Sequence, residues 1–271
     1  MAALATGRSA NESRRDVRHL FLRAAQALRA AKNAYREGGV VAVERLASDA
    51  AYWRFSPRVR RWARELPRQE AADRAFDAYY GTDTAGEELL ENLGIASGDV
   101  ARGNGRYRPV WSDVFHQALA TLGLDCERFT FVDYGSGKGK ALLLASDYPF
   151  EEILGIEYSP ELHRIAERNI ERYRGREQRC YQIRSICADA LRFEPPQKPL
   201  VCFFFNPFDD DTMRAVLERL GESARSLRRE IYLVYTNMRN VREHEDVLTE
   251  HQDLVLLSRD ERYLVFALQP Q

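Results

Sequence analysis

An aspartate and three glycines at alternate positions follow a short apolar run near the middle of the chain. They are Asp133, Gly135, Gly137 and Gly139. Glycines at such a turn let the backbone approach a ligand closely, and the start of a following helix presents N–H groups to an anion. A dinucleotide-binding turn would place its third glycine at residue 140, where this chain has a lysine. The spacing therefore favours a ligand-binding turn of another kind, and the alternative is a purely structural strand-to-helix turn.

Polar residues end three later apolar runs and are further candidates. Glu157 stands 18 residues after Gly139, and an acid at that point can accept hydrogen bonds from both hydroxyls of a ribose. Asp189 follows the next run, and Asn206 follows the one after it. A side-chain amide has one acceptor and two donors, so Asn206 could orient a reacting nitrogen or hydroxyl. The plain alternatives are a solvated glutamate, an aspartate turn and a helix cap.

These residues need a frame that brings distant segments together. From Phe129 onwards, short apolar runs alternate with helical patterns, which predicts a parallel sheet covered by helices on both faces. Strands are predicted over residues 129–134, 153–158, 181–186, 200–205 and 231–235. Two last apolar runs, at 254–257 and 263–266, are separated by a polar segment whose length predicts an antiparallel hairpin. Since parallel strands end at one edge of a sheet, we expect the candidates to lie together.

Taken together, the four segments resemble class I S-adenosylmethionine (SAM) methyltransferases over about residues 105–268. The resemblance implies a Rossmann-like α/β fold with a seven-stranded, mostly parallel sheet and a C-terminal antiparallel hairpin. It implies SAM as the cofactor, with the ribose bound by Glu157 and the adenine by Asp189 and the backbone N–H of Ala190. The cofactor-binding residues that it implies at the glycine turn are Asp133, Gly135, Ser136, Gly137 and Gly139.

The segment Asn206-Pro207-Phe208 resembles the N-P-P-Y/F motif of methyltransferases that modify amide or amine nitrogens. In that motif the asparagine side chain and the proline carbonyl hold the hydrogens of the nitrogen and aim its lone pair at the sulfonium. The resemblance thus assigns Asn206, Pro207 and Phe208 to catalysis on a protein or a small molecule. This chain has one proline where the motif has two, so an oxygen acceptor stays open.

Two upstream segments are similar to a family of mostly uncharacterised bacterial methyltransferases. They read F-D-x-x-Y-G-x-D-T at residues 76–84 and Y-x-P at residues 107–109. The resemblance implies a lid formed by Tyr80, Asp83, Thr84 and Tyr107, in which Thr84 also binds the cofactor and Tyr107 also orients the acceptor. The alternative is an ordered linker. The predicted organisation is a helical extension over 1–80, a covering loop or lid over 81–110 and a SAM-binding domain over 111–271.

Helical periodicity dominates the N-terminal part of the chain. Apolar residues over 17–31 form one stripe, and a second helix is predicted over 40–53. Ser56-Pro57 is typical of a helix start, while Pro67 predicts that the helix beginning there is broken. Ser112 is predicted to cap a helix that runs to about residue 122.

Charge is divided unevenly along the chain, and this asymmetry suggests a second hypothesis about the function. The whole chain has a net charge of −1, but residues 1–70 carry +8 and the rest carries −9. Such asymmetry can mark a nucleic-acid surface, although solvated helix faces are commoner and nucleic acid is not the favoured partner. The rival is a non-catalytic SAM-fold module that binds RNA or a protein partner through basic N-terminal helices. A nicotinamide-dependent oxidoreductase is a second rival, disfavoured by Lys140 and by the predicted hairpin.

Composition argues against several other classes of protein. No apolar run approaches the roughly 20 residues that span a bilayer, so no membrane insertion is predicted. The first residues lack the apolar stretch of a secretory signal, and we expect a cytoplasmic protein. The four cysteines form no C-x-x-C pair and have no histidine at ligand spacing, so no metal site is predicted. Neither the methyl acceptor nor an oligomeric state follows from the sequence.

Overall fold

A computed structural model describes residues 57–89, 105–237 and 244–269. The chain divides into two compact units, Met1–Arg60 and Arg61–Gln271. The helices predicted over 17–31 and 40–53, and with them most of the basic segment, lie outside the described residues. The boundary between these two units falls at residue 60, and the predicted organisation into 1–80, 81–110 and 111–271 stays a prediction.

Seven strands form a single sheet, preceded by a two-stranded ribbon of β1 (Glu88–Leu89) and β2 (Arg106–Tyr107). The strands of the sheet are β3 (Thr130–Tyr134), β4 (Glu152–Glu157), β5 (Ile183–Cys187), β6 (Leu200–Phe205), β7 (Ile231–Thr236), β8 (Leu254–Arg259) and β9 (Tyr263–Leu268). Their order across the sheet is β5-β4-β3-β6-β7-β9-β8. The first five are parallel, β9 runs antiparallel to β7, and β8 and β9 form the hairpin. This mixed sheet confirms the predicted fold class.

The helices of the described residues are α1 (Pro57–Tyr80), α2 (Ser112–Ala120), α3 (Lys140–Ala145), α4 (Pro160–Arg172), α5 (Asp210–Leu227) and α6 (Glu245–Thr249). Side chains cap two of these helices: Ser159 accepts from the Leu162 N–H at the start of α4, and Asp209 accepts from the Thr212 N–H at the start of α5. Among the described helices, none is long and apolar enough to cross a bilayer.

The predicted break at Pro67 is wrong, because α1 continues through it from Pro57 to Tyr80. A proline inside a helix removes one backbone hydrogen bond and distorts its neighbourhood. Packing offsets that loss, since Trp62, Leu66 and Phe76 all pack against a buried cluster that includes the β3 side chains. Tertiary contacts therefore override the local penalty, and most of α1 belongs to the unit that contains the sheet.

Two further local predictions need correction. Ser112 is the first residue of α2 rather than its cap; Trp111 holds the cap position without a side-chain cap hydrogen bond. Trp111 is 4% exposed, so burial of its ring sets the helix start. The region 81–108, predicted as loop, contains the β1–β2 ribbon, in which Glu88 pairs with Tyr107.

Side chains of the central strands alternate between two apolar layers. Val132 and Tyr134 of β3 face one buried cluster, together with α5. Phe131 faces the other, together with α2 and α3. All five residues of β3 are buried, as expected for a parallel strand covered on both faces. The centre of the sheet is therefore apolar on both faces, and the polar residues that could bind a ligand lie at the ends of its strands.

Register brings the candidate segments to one edge of the sheet. Tyr134, the last residue of β3, pairs with Ile156 on one side and Phe204 on the other. Both neighbours stand one residue before the ends of their strands, β4 and β6. The glycine turn, Glu157 and Asn206 therefore leave the sheet side by side. In an open α/β sheet, ligands bind beyond this carboxyl edge, where the strand order reverses.

Candidate active site

The glycine turn leaves β3 through three residues with left-handed backbone angles. φ is +81° at Gly135, +55° at Gly137 and +83° at Gly139. For residues with a side chain this region costs about 1–2 kcal/mol, so glycine is favoured at each position. The space that a Cβ would take is filled by the chain itself, by Pro207 at Gly135 and by Tyr107 at Gly137. The glycines thus let other segments of the chain pack onto the turn.

Backbone hydrogen bonds tie the turn to the neighbouring strand β4. The N–H groups of Gly135 and Ser136 both donate to the Ile156 carbonyl, at 2.8 and 3.0 Å. The Ser136 hydroxyl is buried without a hydrogen-bond partner among the described residues. A Cβ at Gly155 would lie 2.7 Å from that hydroxyl oxygen, so Gly155 makes room for it. The side chain of Ser136, predicted to bind the cofactor, is therefore set against β4.

Glu157 ends β4 with its carboxylate directed into the turn. One carboxylate oxygen accepts from the Gly137 N–H at 2.7 Å, and the other accepts from the Ser159 N–H at 2.8 Å. Burial raises the pKa of Glu157, and the backbone donors at Ser159 and Gly137 oppose that rise. Burial, and then the charge of Glu157, also raise the pKa of Asp133 well above its usual range. Two predicted cofactor-binding acids thus stand beside the turn in a low-dielectric setting.

The segment after α1 folds around the side chain of Asp77. One Asp77 oxygen accepts from the hydroxyls of Thr82 and Thr84, at 2.7 and 2.8 Å. The other accepts from the N–H groups of Thr84 and Ala85, at 2.8 and 2.6 Å. These contacts explain the types and spacing of residues in the 76–84 segment. We name residues 77–89 together with Arg106–Tyr107 the cover.

Tyr107 joins the cover to the glycine turn. A Cβ at Gly137 would collide with the Tyr107 ring, and the Tyr107 hydroxyl donates to the Thr84 carbonyl at 2.5 Å. Burial raises the pKa of Tyr107 well above its usual range, so the hydroxyl stays protonated as a donor. Thr84, predicted to bind the cofactor, has its N–H, hydroxyl and carbonyl all bonded within the cover.

Lys138 and Asn169 also hold the cover, and neither was expected from the sequence to do so. The Lys138 ammonium is 4% exposed and pairs with Asp83 at 3.1 Å and Glu88 at 2.5 Å. Asn169 of α4 accepts from the Asp83 N–H at 2.7 Å and donates to the carbonyls of Asp83 and Lys138, at 2.9 and 2.8 Å. Burial alone would lower the pKa of Lys138, but hydrogen bonds to Glu88 and Asp83 raise it overall.

Lys140, where a dinucleotide turn would have its third glycine, points back to α1. Its ammonium lies 3.4 Å from an Asp73 oxygen and 3.5 Å from the centre of the Phe76 ring. Both partners of the ion pair are buried, and burial lowers the pKa of Lys140 and raises that of Asp73. Tyr80, predicted as part of the lid, packs on the ring of Tyr173, with centroids 4.6 Å apart.

Asp189 and Ala190 follow β5 in a tight turn. The Asp189 carboxylate accepts from the Leu191 N–H at 2.9 Å, as the plain turn alternative predicts. The residue before it, Ala188, donates its N–H to the Glu157 carbonyl at 3.0 Å. This contact fixes the Asp189 turn beside the end of β4. Ala190 is 9% exposed and packs against the apolar cluster that contains α5.

Asn206 has an uncommon backbone for a residue with a side chain. Its φ is +42°, in the left-handed region that asparagine tolerates better than most residues. Its side-chain oxygen accepts from the Tyr235 hydroxyl at 2.9 Å, and the residue is 7% exposed. Pro207 lies on the glycine turn, since a Cβ at Gly135 would come within 2.6 Å of the Pro207 Cβ.

His244 anchors the other end of this segment. Its Nε2 is 2.7 Å from the Phe208 carbonyl oxygen, and its Nδ1 is 2.7 Å from an Asp210 carboxylate oxygen. A carbonyl only accepts hydrogen bonds, so Nε2 carries a hydrogen. The His244 ring also packs near Tyr235, with ring centroids 5.7 Å apart.

The structure thus joins the predicted site residues into two contact groups. The first group consists of Gly137, Glu157, Tyr107 and Thr84. The second consists of Gly135 and Pro207, which are in contact with each other. Two signals could have found the residues that were missed. Lys138 and Lys140 are two of only four lysines among 40 basic residues, and Asn169 interrupts an otherwise apolar stripe on α4. His244 and Tyr235 offered no comparable signal.

No family model matches this chain, and no curated protein matches it. Solved structures do resemble it. One is an RNA methyltransferase from Salinibacter ruber in complex with S-adenosyl-L-homocysteine, which is 14% identical to this chain. The match covers 60% of this chain and 95% of the methyltransferase, with a TM-score of 0.42. A ribosomal protein L11 methylase from Lactobacillus delbrueckii is 17% identical, covers 58% and 79%, and has a TM-score of 0.39. A magnesium protoporphyrin IX methyltransferase from Synechocystis with bound SAM is 14% identical, covers 58% and 79%, and has a TM-score of 0.40.

Proposed function

We propose that the protein is an enzyme that transfers a methyl group from SAM to an acceptor. The observation that carries the proposal is the contact of Glu157 with the Gly137 N–H at 2.7 Å. This hydrogen bond joins the acid expected to bind the ribose to the turn expected to bind the methionine part of the cofactor. The strand order, with β9 antiparallel beside β7, agrees with the sheet that the sequence resemblance implies.

The chemistry of the side chains at this edge fits SAM. A carboxylate offers about four lone-pair sites, so backbone donors to Glu157 leave capacity for ribose hydroxyls. Carboxylates also suit a cofactor whose sulfur is positively charged. The residues that we propose to hold the cofactor are Asp133, Gly135, Gly137, Gly139, Glu157, Asp189 and Ala190. We assign Ser136 and Thr84 to shaping the turn and the cover, since their polar groups lie inside the chain.

The cover is proposed to close the cofactor site against water. Three contacts hold it on the glycine turn: the Tyr107 ring packs on Gly137, Lys138 makes ion pairs with Asp83 and Glu88, and Asn169 bonds both Asp83 and Lys138. The Tyr107 hydroxyl is bonded to the Thr84 carbonyl, which favours a covering role for Tyr107 over the predicted orientation of the acceptor. Excluding water strengthens every electrostatic contact inside a site.

Bound SAM supplies a methyl group on a positively charged sulfur, so the protein mainly needs to hold an acceptor in line with it. We propose that Asn206, Pro207 and Phe208 orient this acceptor. Pro207 packs on Gly135, so the acceptor segment lies against the cofactor turn. An amine or amide nitrogen is the acceptor that the motif favours. A charged amine must lose a proton before it can attack, because an ammonium has no lone pair.

Calorimetric titration with SAM, S-adenosylhomocysteine (SAH) and NADH tests this proposal against both rivals. Binding of SAM and SAH, without binding of NADH, is the expected result. NADH binding alone would favour an oxidoreductase. A third outcome is that neither SAM nor SAH binds at millimolar concentration, while RNA binds in a salt-sensitive way. This outcome would favour the non-catalytic module that uses the basic segment.

A further inference from the structure

Tyr235 stands next to the proposed acceptor segment without belonging to any motif in the sequence. It lies one residue before the end of β7, where it pairs with Phe204 of β6. Its side chain is fully buried, and its hydroxyl donates to the Asn206 side-chain oxygen at 2.9 Å. The two residues are 29 positions apart, so the contact is a product of the parallel pairing of β6 with β7.

We propose that Tyr235 is a positioning residue that fixes the orientation of the Asn206 amide. This inference rests on the proposed function. An amide has an oxygen on one side and an NH₂ group on the other, and the two have opposite hydrogen-bonding roles. The phenol donates to the oxygen, so it selects one of the two faces of the amide. An acceptor group meeting Asn206 then encounters donors and an acceptor in set directions.

The backbone of the segment is held independently at both ends. The positive φ of Asn206 turns the chain sharply at the end of β6. Pro207 rests on Gly135, and His244 donates from Nε2 to the Phe208 carbonyl at 2.7 Å. With the backbone fixed in this way, the Tyr235 hydroxyl adds a hydrogen bond to the Asn206 side-chain oxygen that favours one direction of the amide. Residues at such uncommon φ values often lie in functional sites.

The role fits transfer to a nitrogen or oxygen that carries a hydrogen. Recognition of that hydrogen depends on direction, because hydrogen bonds weaken steeply when they are bent. Orientation of reacting groups is also where a transferase without strong acid–base chemistry gains most of its rate. Tyr235 acts through Asn206 and is not itself expected to touch the acceptor.

Side-chain amide signals of asparagine give a test that needs no acceptor. The full-length protein is labelled with ¹⁵N-asparagine, and the Asn206 pair of signals is identified by its loss in Asn206→Ala. The chemical shifts of this pair are then compared in wild type, Tyr235→Phe and a control, Tyr232→Phe. Tyr232 is on the same strand but packs with the opposite apolar cluster. Spectra are recorded without ligand and with SAH.

The expected result is that the wild-type Asn206 signals lie apart from those of a free asparagine side chain. Tyr235→Phe moves them towards the free positions, because the side-chain oxygen loses its hydrogen-bond donor, whereas Tyr232→Phe leaves them unchanged. Unaltered thermal midpoints would show that the fold is intact. Asn206 signals that do not move in Tyr235→Phe overturn the inference, and so do wild-type signals at the free positions, a result that decides the matter even if a variant fails to fold. SAH binding is measured separately, so its absence would count against the proposed function and not against this contact.

Discussion

Among single residues, Glu157 allows the most specific prediction, which concerns the affinity for SAH. Replacing it by glutamine keeps its size but removes the charge that strengthens its hydrogen bonds. We expect Glu157→Gln to weaken SAH binding about tenfold, which corresponds to about 1.4 kcal/mol. Isothermal titration measures the change, with Glu161→Gln as the control because Glu161 is exposed on the first turn of α4. Equal affinity in the two variants would remove Glu157 from the binding site.

Asp133 gives a prediction about pH. Its folded-state pKa is raised well above the usual range by burial and then by Glu157, so folding favours its protonated form. Its contribution to the free energy of unfolding is therefore fully present below its unfolded pKa, about 3.9, and is lost as the pH rises through the higher folded pKa. Asp133→Asn should lose this dependence and gain stability relative to wild type as the pH rises. Denaturant unfolding at several pH values measures it, and parallel curves for the two proteins would contradict the assignment.

At the scale of elements, the cover and the glycine turn depend on one close approach. Gly137 and Gly123 have nearly the same φ, +55° and +58°, but a Cβ would meet the Tyr107 ring only at Gly137. We expect Gly123→Ala to cost about 1–2 kcal/mol from backbone strain alone. Gly137→Ala should cost about 1–3 kcal/mol more, because the added methyl group forces Tyr107 away. Denaturant unfolding compares the two, and equal losses would mean that Tyr107 does not pack on the turn.

Asn169 links α4 to the cover and to the turn. Asn169→Ala leaves the N–H of Asp83 and two carbonyls without their present partners. The expected loss is about 2–3 kcal/mol, since unsatisfied buried polar groups cost about 1–3 kcal/mol each and Asp83 can recover some contact with water. Protease cleavage within residues 81–89 should also become faster. Arg168→Ala, on an exposed neighbour, is the control. Unchanged stability and cleavage would show that the cover is held by other contacts.

The sequence predicts elements and their order better than the contacts between them. Apolar runs predict each strand of the sheet to within a few residues, and the signal is strongest for central strands such as β3 and β6, which are buried on both faces. Pro67 fails as a predictor because the packing of Trp62 and Phe76 on a distant cluster outweighs a local penalty. Asn206 could be identified as a candidate site residue from its position after a predicted strand. Its partner Tyr235 could not, because that pairing arises only when β6 and β7 align.

For the whole molecule, the division at residue 60 predicts which part folds by itself. A fragment of residues 57–271 retains α1 and should keep SAH affinity within a few-fold of the full chain. A fragment of residues 81–271 loses the packing of α1 on the buried cluster and the Asp77 carboxylate that holds residues 82–85, so we expect a lower thermal midpoint and weaker SAH binding. Thermal unfolding and SAH titration compare the fragments. A stable 81–271 fragment with full SAH affinity would show that α1 is dispensable.

Backbone hydrogen–deuterium exchange of the full chain, with and without saturating SAH, tests whether the cofactor binds at the carboxyl edge of the sheet. We expect slower exchange in three separate segments that meet at this edge: residues 133–141, 155–160 and 187–192. Binding at that edge protects backbone groups in all three because they lie side by side in the fold. SAH that binds but protects residues elsewhere, or leaves these three segments unchanged, would contradict the assignment of this edge as the cofactor site.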